Sequence, residues 1–214
     1  MTHRPKSLLT PTEQQAGMTR IVLASNNAGK LREFSALLAT AGIELIAQSE
    51  FGIPEAAEPH ATFIENALAK ARHAAKLTGL PALADDSGLC VHALSGAPGI
   101  HSARYAAGQK KSDDANNARL IEQLQGQPDR RAYYYCVIAM LRHAEDSEPI
   151  ITEGRWHGEI LDAPRGVNGF GYDPYFFIPT LNASAAELPT TVKNLHSHRA
   201  LALQTLLIRL TQQT

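Results

Sequence analysis

Strand-like and helix-like segments alternate along this chain of 214 residues, and the alternation restricts its fold more than any other feature. The strand-like runs are short and apolar, whereas the helix-like segments repeat apolar residues every three or four positions. This order predicts an α/β fold in which helices lie on the faces of a mixed β-sheet. The length suits one medium-sized domain, or two lobes that share a cleft.

The predicted strands are bounded by turn residues. They cover residues 20–24, 43–49, 81–86, 89–94, 131–143, 150–161 and 175–179. A polar turn joins the two long strands 131–143 and 150–161, which predicts an antiparallel pair. We expect a break at Ser87 and Gly88, between the third and fourth of these strands.

Four helices are predicted, over residues 30–40, 62–79, about 113–125 and about 197–211. The second has the clearest ends. Thr62 and Glu65 have the spacing of a capping box, and Gly79 followed by Pro81 closes the far end.

Charge and composition limit the possible partners. The net charge of −1 gives no support for a broad surface that binds nucleic acid or an anionic membrane. No run approaches the roughly 20 apolar residues that cross a bilayer. Cys90 and Cys136 lie in apolar stretches without CxxC spacing, so we expect reduced core residues in a cytoplasmic protein. Residues 1–17 are polar, contain two prolines and lack an apolar signal core, which predicts a disordered tail before a domain over 18–214.

The stretch "ASNNAGKL" (24–31) has the strand–turn–helix order of a phosphate-binding loop but a different sequence. A P-loop has glycine where this chain has Ala24, and serine or threonine where it has Leu31. Free backbone N–H groups at a helix N-terminus, two asparagines and Lys30 would nevertheless suit a polyphosphate. The other interpretation is an ordinary turn with a solvated lysine.

Two adjacent carboxylates occur in "LADDSGL" (83–89), at the end of a predicted strand. Burying two carboxylates together is costly, and Mg²⁺ prefers oxygen ligands, so Asp85 and Asp86 are candidates for a magnesium ligand and a base. The alternative is a pair that caps a turn. Glu65 has a sufficient role in the capping box, whereas Glu58 has no such structural explanation.

Two further stretches combine ligand-binding side chains. In "NGFGYDP" (168–174), Phe170 or Tyr172 could stack on a planar base, or could plug the space beneath a loop. In "TVKNLHSHRAL" (191–201), Lys193, His198 and Arg199 gather with His196 at the expected start of the last helix. Cations are unfavourable there, which indicates an anionic or carbonyl-bearing ligand unless the cluster is simply solvated.

Six stretches together resemble one family, the non-standard purine nucleoside triphosphate pyrophosphatases. They are "LASNNAGKLREF", "TFIENALAKARHAA", "ALADDSGL", "GAPGIHSARY", "GFGYDPYFF" and "SHRALAL", and they occur in the family's order from about Ile21 to the last helix. The resemblance implies a two-lobed α/β fold with a central cleft, which forms a homodimer. It also implies Mg²⁺-dependent hydrolysis of ITP, dITP and XTP to the monophosphate and pyrophosphate.

The resemblance also implies roles for individual residues. Asp86 is similar to the family's proton acceptor and metal ligand, and Glu58 to a second metal ligand. The implied triphosphate-binding turn comprises Ser25, Asn26, Asn27, Ala28, Gly29 and Lys30. The other implied substrate contacts are Ser87, Phe170, Gly171, Tyr172, Asp173, Lys193, His198 and Arg199. The family commonly has Thr-Gly-Asn where this chain has Ser25, Asn26 and Asn27. Serine keeps the hydroxyl group, and asparagine is tolerable in place of the glycine if the backbone there is left-handed, a conformation in which asparagine is enriched.

Base selection follows from hydrogen-bond donors. Hypoxanthine and xanthine carry an oxygen at position 6, to which His198 and Arg199 can donate, and arginine cannot accept from the amino group of adenine. Two alternatives remain open. One is a related pyrophosphatase for modified pyrimidine nucleotides, and the other is a non-catalytic nucleotide sensor that would not need the Asp85–Asp86 pair.

Overall fold

Seven strands form one mixed sheet in the part of the chain that the computed structural model describes, residues 19–106 and 112–212. The strands are β1 (Thr19–Leu23), β2 (Ile43–Ala47), β3 (Ala82–Val91), β4 (Arg131–Leu141), β5 (Ile150–Ile160), β6 (Phe176–Ile178) and β7 (Ala183–Ser184). Their order across the sheet is β2-β1-β3-β4-β5-β6-β7. β1 is parallel to β2 and β3, and the remaining neighbours are antiparallel. The expected tail, residues 1–17, lies outside the described residues.

Helices flank this sheet, so the predicted α/β class is confirmed. They are α1 (Ala28–Leu38), α2 (Phe63–Thr78), α3 (Asp113–Gln123), α4 (Thr190–His196) and α5 (His198–Gln212). The caps of α2 are as predicted, because Thr62 Oγ1 accepts a hydrogen bond from the Glu65 N–H at 3.2 Å and Gly79 ends the helix with φ +70°. None of the helices within the described ranges combines the length and apolar content that a membrane span requires.

The expected break at Ser87 and Gly88 is wrong, because β3 runs without interruption from Ala82 to Val91. Gly88 pairs with Tyr135 of β4, in register with the rest of the strand. A Cβ atom at Gly88 would lie 2.2 Å from the Gly99 carbonyl oxygen. Glycine is therefore needed here for the close approach of a loop, not for a turn. As a consequence, Asp85 and Asp86 lie inside a central strand, not at its end.

The last helix starts at His198, close to the expected start at about residue 197, but two of the four cationic residues expected there lie elsewhere. Lys193 and His196 belong to the last turn of the short helix α4, and Ser197 separates it from α5. A cation is favourable at the C-terminal end of a helix. The unfavourable placement that suggested an anionic ligand therefore applies to His198 and Arg199, which open α5.

Three clusters of buried side chains hold the sheet and helices together. One packs α1 and α5 on the sheet around Phe34, Ile138 and Leu206, and another packs the alanine face of α2 on β1, β3 and β4. The third includes Trp156 and Phe176 at the other end of the sheet. The functional side chains described next lie at the border of these clusters.

Candidate active site

One cavity of about 410 Å³ collects residues from distant parts of the chain. Its walls come from the turn after β1, the loop before α2, the middle of β3, the loops 100–104 and 170–173, and the starts of α3 and α5. This volume lies within the range of pockets that bind small molecules and cofactors. The turn that resembles a phosphate-binding loop and the acidic pair therefore share a single cavity.

Lys30 faces the acidic pair. Its Nζ lies 2.9 Å from Asp85 Oδ2. The expectation of free backbone N–H groups in this turn is only partly right, because Asn27 caps α1. Its Oδ1 accepts from the N–H groups of Gly29 at 2.8 Å and of Lys30 at 3.1 Å. A phosphate that binds these two amides must displace the asparagine cap.

Asn26 does not have a left-handed backbone. Ser95 and Asn182 are the non-glycine residues with positive φ among those described, and Asn26 is not one of them. Its side-chain oxygen accepts instead from Gln48 Nε2 at 3.3 Å, which ties the turn to the segment after β2. The chain therefore accommodates asparagine here without a glycine-like conformation.

Asp85 is the buried centre of a cationic cluster. It is 2 % exposed, and besides Lys30 it contacts Arg199, whose Nε lies 3.6 Å from Oδ2. Burial by itself would raise the pKa of Asp85, but Lys30 and Arg199 outweigh it and hold that pKa well below its ordinary value. Ser87 donates to the same Oδ2 at 3.0 Å. Asp85 is thus a fixed negative charge.

Asp86 points to a different partner. Lys70 of α2 lies between two carboxylates, with Nζ 2.9 Å from Asp86 Oδ1 and 2.7 Å from Glu58 Oε1. Burial raises the pKa of Asp86 above its ordinary value, and Lys70 opposes that shift. For Glu58 the balance is reversed, because Lys70 outweighs burial and lowers the pKa. Neighbouring carboxylates on β3 are therefore set to different proton affinities.

Lys70 and Asn66 were not recognised in the sequence as site residues. Asn66 Nδ2 lies 3.5 Å from Asp86 Oδ2, and Asn66 also exchanges hydrogen bonds with the backbone of His60. The available signal was their spacing, since positions 66 and 70 lie on one face of α2 that is otherwise alanine-rich and buried. A buried lysine needs a carboxylate partner.

The loop 168–173 is held by Asp173. Its Oδ2 accepts from Lys193 Nζ at 2.7 Å and from the Phe170 N–H at 3.0 Å, and Tyr134 donates to Oδ1 at 3.2 Å. Gly169 leaves room for this carboxylate, because a Cβ there would lie 2.1 Å from Oδ2. Asp173 therefore orders the loop through its own side chain.

The two aromatic residues of this loop have different positions. Phe170 is 41 % exposed at the cavity, and its ring centroid lies 5.7 Å from Lys193 Nζ and 5.4 Å from Arg199 Cζ. Tyr172 is buried in the third cluster and donates to the Ser102 carbonyl oxygen at 2.8 Å. Phe170 is thus the ring that is free to stack on a base, while Tyr172 plugs the space beneath the loop.

His198 and Arg199, at the start of α5, form a further wall of the cavity. The His198 ring stacks on Tyr134, with centroids 4.8 Å apart, and its Nδ1 has no hydrogen-bond partner among the described residues. Burial, with Arg199 beside it, lowers the pKa of His198 well below its ordinary value, so the ring is neutral at neutral pH. Arg199 donates to Ser87 Oγ at 3.1 Å and to Glu33 Oε2 at 3.4 Å.

Most of the predicted site residues line this cavity. They are Ser25, Asn27, Lys30, Glu58, Asp86, Ser87, Phe170, Gly171, Tyr172, Asp173, Lys193, His198 and Arg199. Asn26, Ala28 and Gly29 belong to the same turn but are not among the lining residues, and Glu65 is not either. The functional roles assigned to individual residues from the sequence stay predictions.

The family model described as the Ham1 family matches residues 21–208. The chain belongs to the Ham1 family. A protein named dITP/XTP pyrophosphatase from Burkholderia pseudomallei is 68 % identical over 197 residues, which cover 91 % of this chain and 95 % of that protein. One of the same name from Ralstonia nicotianae is 65 % identical over 195 residues, or 90 % of this chain and 97 % of its own. The resemblance seen in the sequence is confirmed.

Solved structures of Ham1 proteins have the same fold. The HAM1 protein from Coxiella burnetii superposes with a TM-score of 0.86 at 49 % identity and covers 91 % of this chain and 100 % of its own. The Ham1 protein from Staphylococcus aureus gives a TM-score of 0.82 at 42 % identity, with the same coverage. The mixed sheet with flanking helices is therefore the fold of the family.

Proposed function

We propose that this chain hydrolyses non-standard purine nucleoside triphosphates, namely ITP, dITP and XTP, to the nucleoside monophosphate and pyrophosphate. This reaction removes such nucleotides from the cellular pool. The proposal is supported by the names of relatives that are 60–68 % identical over about nine-tenths of the chain. The observation that carries it is the single cavity, whose lining combines the lysine-bearing turn, the acidic strand, the exposed Phe170 ring and the side chains of His198 and Arg199.

The donor set also fits a magnesium ion. Glu58 Oε1 and Asp86 Oδ1 lie within 2.9 Å of one point, the Lys70 nitrogen, so the two carboxylates already converge on a single cation. Carboxylate oxygens are the ligands that Mg²⁺ prefers. Glu58 and Asp86 would hold the ion, which would neutralise phosphate charge and acidify a bound water. Lys70 would then turn towards the phosphates.

The chain's own groups supply positioning and proton transfer. Asp86 Oδ1 is the oxygen that converges with Glu58 on the proposed ion site, whereas Oδ2 has only the long contact from Asn66, so we assign Oδ2 as the acceptor of the water proton. The raised pKa makes this carboxylate a stronger base than an exposed aspartate. Phosphoanhydride hydrolysis requires mainly positioning and charge neutralisation from the protein. Lys30 and Lys70 would neutralise the charge of the triphosphate.

Base recognition is assigned to the side chains that come from the loop 168–173 and the start of α5. Phe170 would stack on the purine, and His198 and Arg199 would donate to its 6-oxygen. Because the His198 ring is neutral, it offers one donor and one acceptor. Adenine would leave these buried donors unpaired, and a site of this kind can discriminate by a factor of up to about 10⁴.

One assay tests the proposed activity. Purified protein is supplied with ITP, dITP, XTP, ATP and a modified pyrimidine triphosphate, and released pyrophosphate is measured with Mg²⁺ and with EDTA. We expect release from the first three substrates, and only with Mg²⁺. Release of orthophosphate alone, or turnover confined to the pyrimidine, would contradict the proposal, and no turnover at all would favour the nucleotide sensor.

We also propose that the chain is a homodimer, assembled through the open face of the sheet. We define the open face as Tyr133, Tyr135, Glu153, Arg155 and His157. The three residues of β5 are exposed, and the two tyrosines are half-buried, with Phe63 at the start of α2 against the edge of Tyr135. Arg155 Cζ lies 5.6 Å from the Tyr133 ring centroid and 5.0 Å from that of Tyr135, and Tyr135 donates to Glu153 at 2.7 Å. Aromatic residues and arginine are enriched at interfaces, and this mixture of charges is self-complementary about a two-fold axis.

A cytoplasmic location is proposed on two grounds. Cys90 and Cys136 are both free and buried, as in a protein that remains reduced. The proposed substrates belong to the intracellular nucleotide pool. Fractionation of cells that express the full chain would test this, and recovery outside the cytoplasm would contradict it.

A further inference from the structure

Both backbone polar groups of Gly171 are bonded to one helix. The Gly171 N–H donates to Asp113 Oδ2 at 2.7 Å, and its carbonyl oxygen accepts from Asn117 Nδ2 at 2.9 Å. These contacts span 58 and 54 residues of sequence. Gly171 has φ +64°, a conformation that side-chain-bearing residues rarely adopt. Because the loop takes an unusual backbone here, bonds to both polar groups of this residue fix its course.

Asp113 and Asn117 are four positions apart, so they lie on one face of the first turn of α3. Asn116, next to Asn117, ties the same turn to the other side of the cavity, where it donates to the Ala103 carbonyl oxygen and accepts from the Ala106 N–H. The beginning of α3 therefore joins the loop 99–106 to the loop 168–173.

Gly171 immediately follows Phe170. That ring is exposed at the cavity, and beyond the contacts of Lys193 and Arg199 with its face, its position depends on its backbone. Asp173 fixes the Phe170 N–H from within the loop, and α3 fixes the peptide on the other side of the ring. Neither Asp113 nor Asn117 contacts Asp86, Lys70 or Glu58, which form the hydrolytic end.

We propose that Asp113 and Asn117 are positioning residues that set the Phe170 ring as the platform for the purine base. We name this pair the α3 clamp. The inference rests on the proposed function, since it assumes that the base stacks on Phe170. The clamp acts on recognition of the base and leaves binding of the phosphates and the chemical step to other residues.

The chain offers a matched set of variants. Asp113→Ala removes the acceptor, whereas Asp113→Asn keeps an oxygen that can accept from the Gly171 N–H. Asp114→Ala is the control, because it removes a carboxylate from the same helical turn and the same helix dipole, yet Gly171 bonds to Asp113 and Asn117 only. Melting temperatures are recorded for all three, so that a loss of folded protein is recognised.

Binding of two product fragments separates recognition of the base from binding of phosphate. Inosine monophosphate carries the base, and pyrophosphate does not. By titration calorimetry, we expect Asp113→Ala to weaken the affinity for inosine monophosphate about threefold to tenfold, which corresponds to the loss of one hydrogen bond. Pyrophosphate affinity should be unchanged. Asp113→Asn should recover most of the loss, and Asp114→Ala should match the wild type. In ITP turnover, Asp113→Ala should raise KM by a similar factor with little change in kcat.

Several results would overturn the clamp. They are unchanged affinity of Asp113→Ala for inosine monophosphate, equal weakening of both fragments, or no recovery in Asp113→Asn. The proposed function fails separately, if the wild-type chain releases no pyrophosphate from ITP. Wild-type turnover together with an unaltered Asp113→Ala variant would reject the clamp alone.

Discussion

Asp85 and Asp86 are chemically identical neighbours with opposite electrostatic surroundings. Lys30 and Arg199 hold the pKa of Asp85 below its ordinary value, while burial raises that of Asp86 against the pull of Lys70. Successive side chains of a strand point to opposite faces, so each carboxylate reaches a different helix. Pairs of carboxyl groups whose environments separate their pKa values commonly divide the roles of fixed charge and base. We therefore assign the proton transfer to Asp86. Asp85 is assigned the role of a fixed charge that holds the side chains of Lys30 and Arg199.

Replacement of the assigned base tests this division. Asp86→Asn keeps the size of the side chain and removes both the charge and the proton acceptor, so we expect kcat for ITP to fall by at least about 10². The melting temperature should stay close to that of the wild type. Near-normal turnover at saturating Mg²⁺ would refute the role of Asp86.

Replacement of the fixed charge should instead affect stability. Asp85→Asn leaves Arg199 and Lys30 without their buried counter-charge, which costs about 3 kcal/mol in the free energy of unfolding. Because the folded-state pKa of Asp85 is lowered, its contribution is fully present above the unfolded-state pKa near 3.9 and is lost as the pH falls below it. Urea denaturation should therefore show a constant difference from the wild type between about pH 5 and about pH 8, and this difference should narrow below about pH 4. A difference that disappears near neutral pH would contradict this assignment.

The base-reading role of Arg199 is best tested as a ratio between substrates. Arg199→Ala also removes a partner of Asp85, so absolute activity will reflect lost stability. The ratio of kcat/KM for ITP to that for ATP cancels this effect, because the fraction of folded enzyme is the same in both assays. We expect the ratio to fall at least about tenfold, the value of one lost hydrogen bond to a charged donor. An unchanged ratio would remove Arg199 from base recognition.

At the scale of elements, the sequence correctly predicted those features that depend on residues close together in the chain. The caps of α2 and the antiparallel pair β4–β5 were predicted because their determinants lie within a few residues. The predicted break in β3 was wrong because glycine is also a common turn residue. Glycine is required at position 88 because the Gly99 carbonyl oxygen, eleven residues later in the chain, approaches the strand there. The separation of α4 from α5 at Ser197 was missed because the cationic residues 193–199 read as one helical start.

The packing of α5 on β5 depends on Gly154. A Cβ there would lie 2.0 Å from the His198 carbonyl oxygen and 2.8 Å from the Ala202 nitrogen. Gly154→Ala should therefore displace the start of α5, with a loss of about 1–3 kcal/mol in stability. Because His198 and Arg199 move with it, discrimination between ITP and ATP should weaken as well.

Gly158→Ala is the matched control for this effect. It lies on the same face of β5, and its Cβ would lie 2.4 Å from the Phe177 carbonyl oxygen, so the clash falls on β6. We expect a comparable loss in melting temperature with unaltered discrimination. Equal changes in discrimination in the two variants would show that α5 does not depend on this contact.

At the scale of the whole molecule, most of the site residues predicted from the sequence line the cavity, but the sequence did not show how they are paired. Thirteen residues assigned to the site from the sequence line it, and eleven of these lie within the six motifs. Lys70 and Asn66 were missed, since on α2 they resemble ordinary polar residues until the helix packs on β3. The clamp of α3 on Gly171 was likewise invisible, because its contacts join positions more than 50 residues apart.

Assembly through the open face leads to the last prediction. Arg155 is exposed at the centre of this face, between Tyr133 and Tyr135, so Arg155→Glu would place an extra negative charge beside Glu153 in both copies. Like charges across a two-fold interface are repulsive, and several kcal/mol of repulsion would dissociate a dimer of moderate affinity. Sedimentation velocity should show the wild type as a dimer and Arg155→Glu as a monomer, with Arg209→Glu at the end of α5 as the control for the charge change. A wild-type monomer would reject the homodimer, and an Arg155→Glu dimer would place its interface elsewhere.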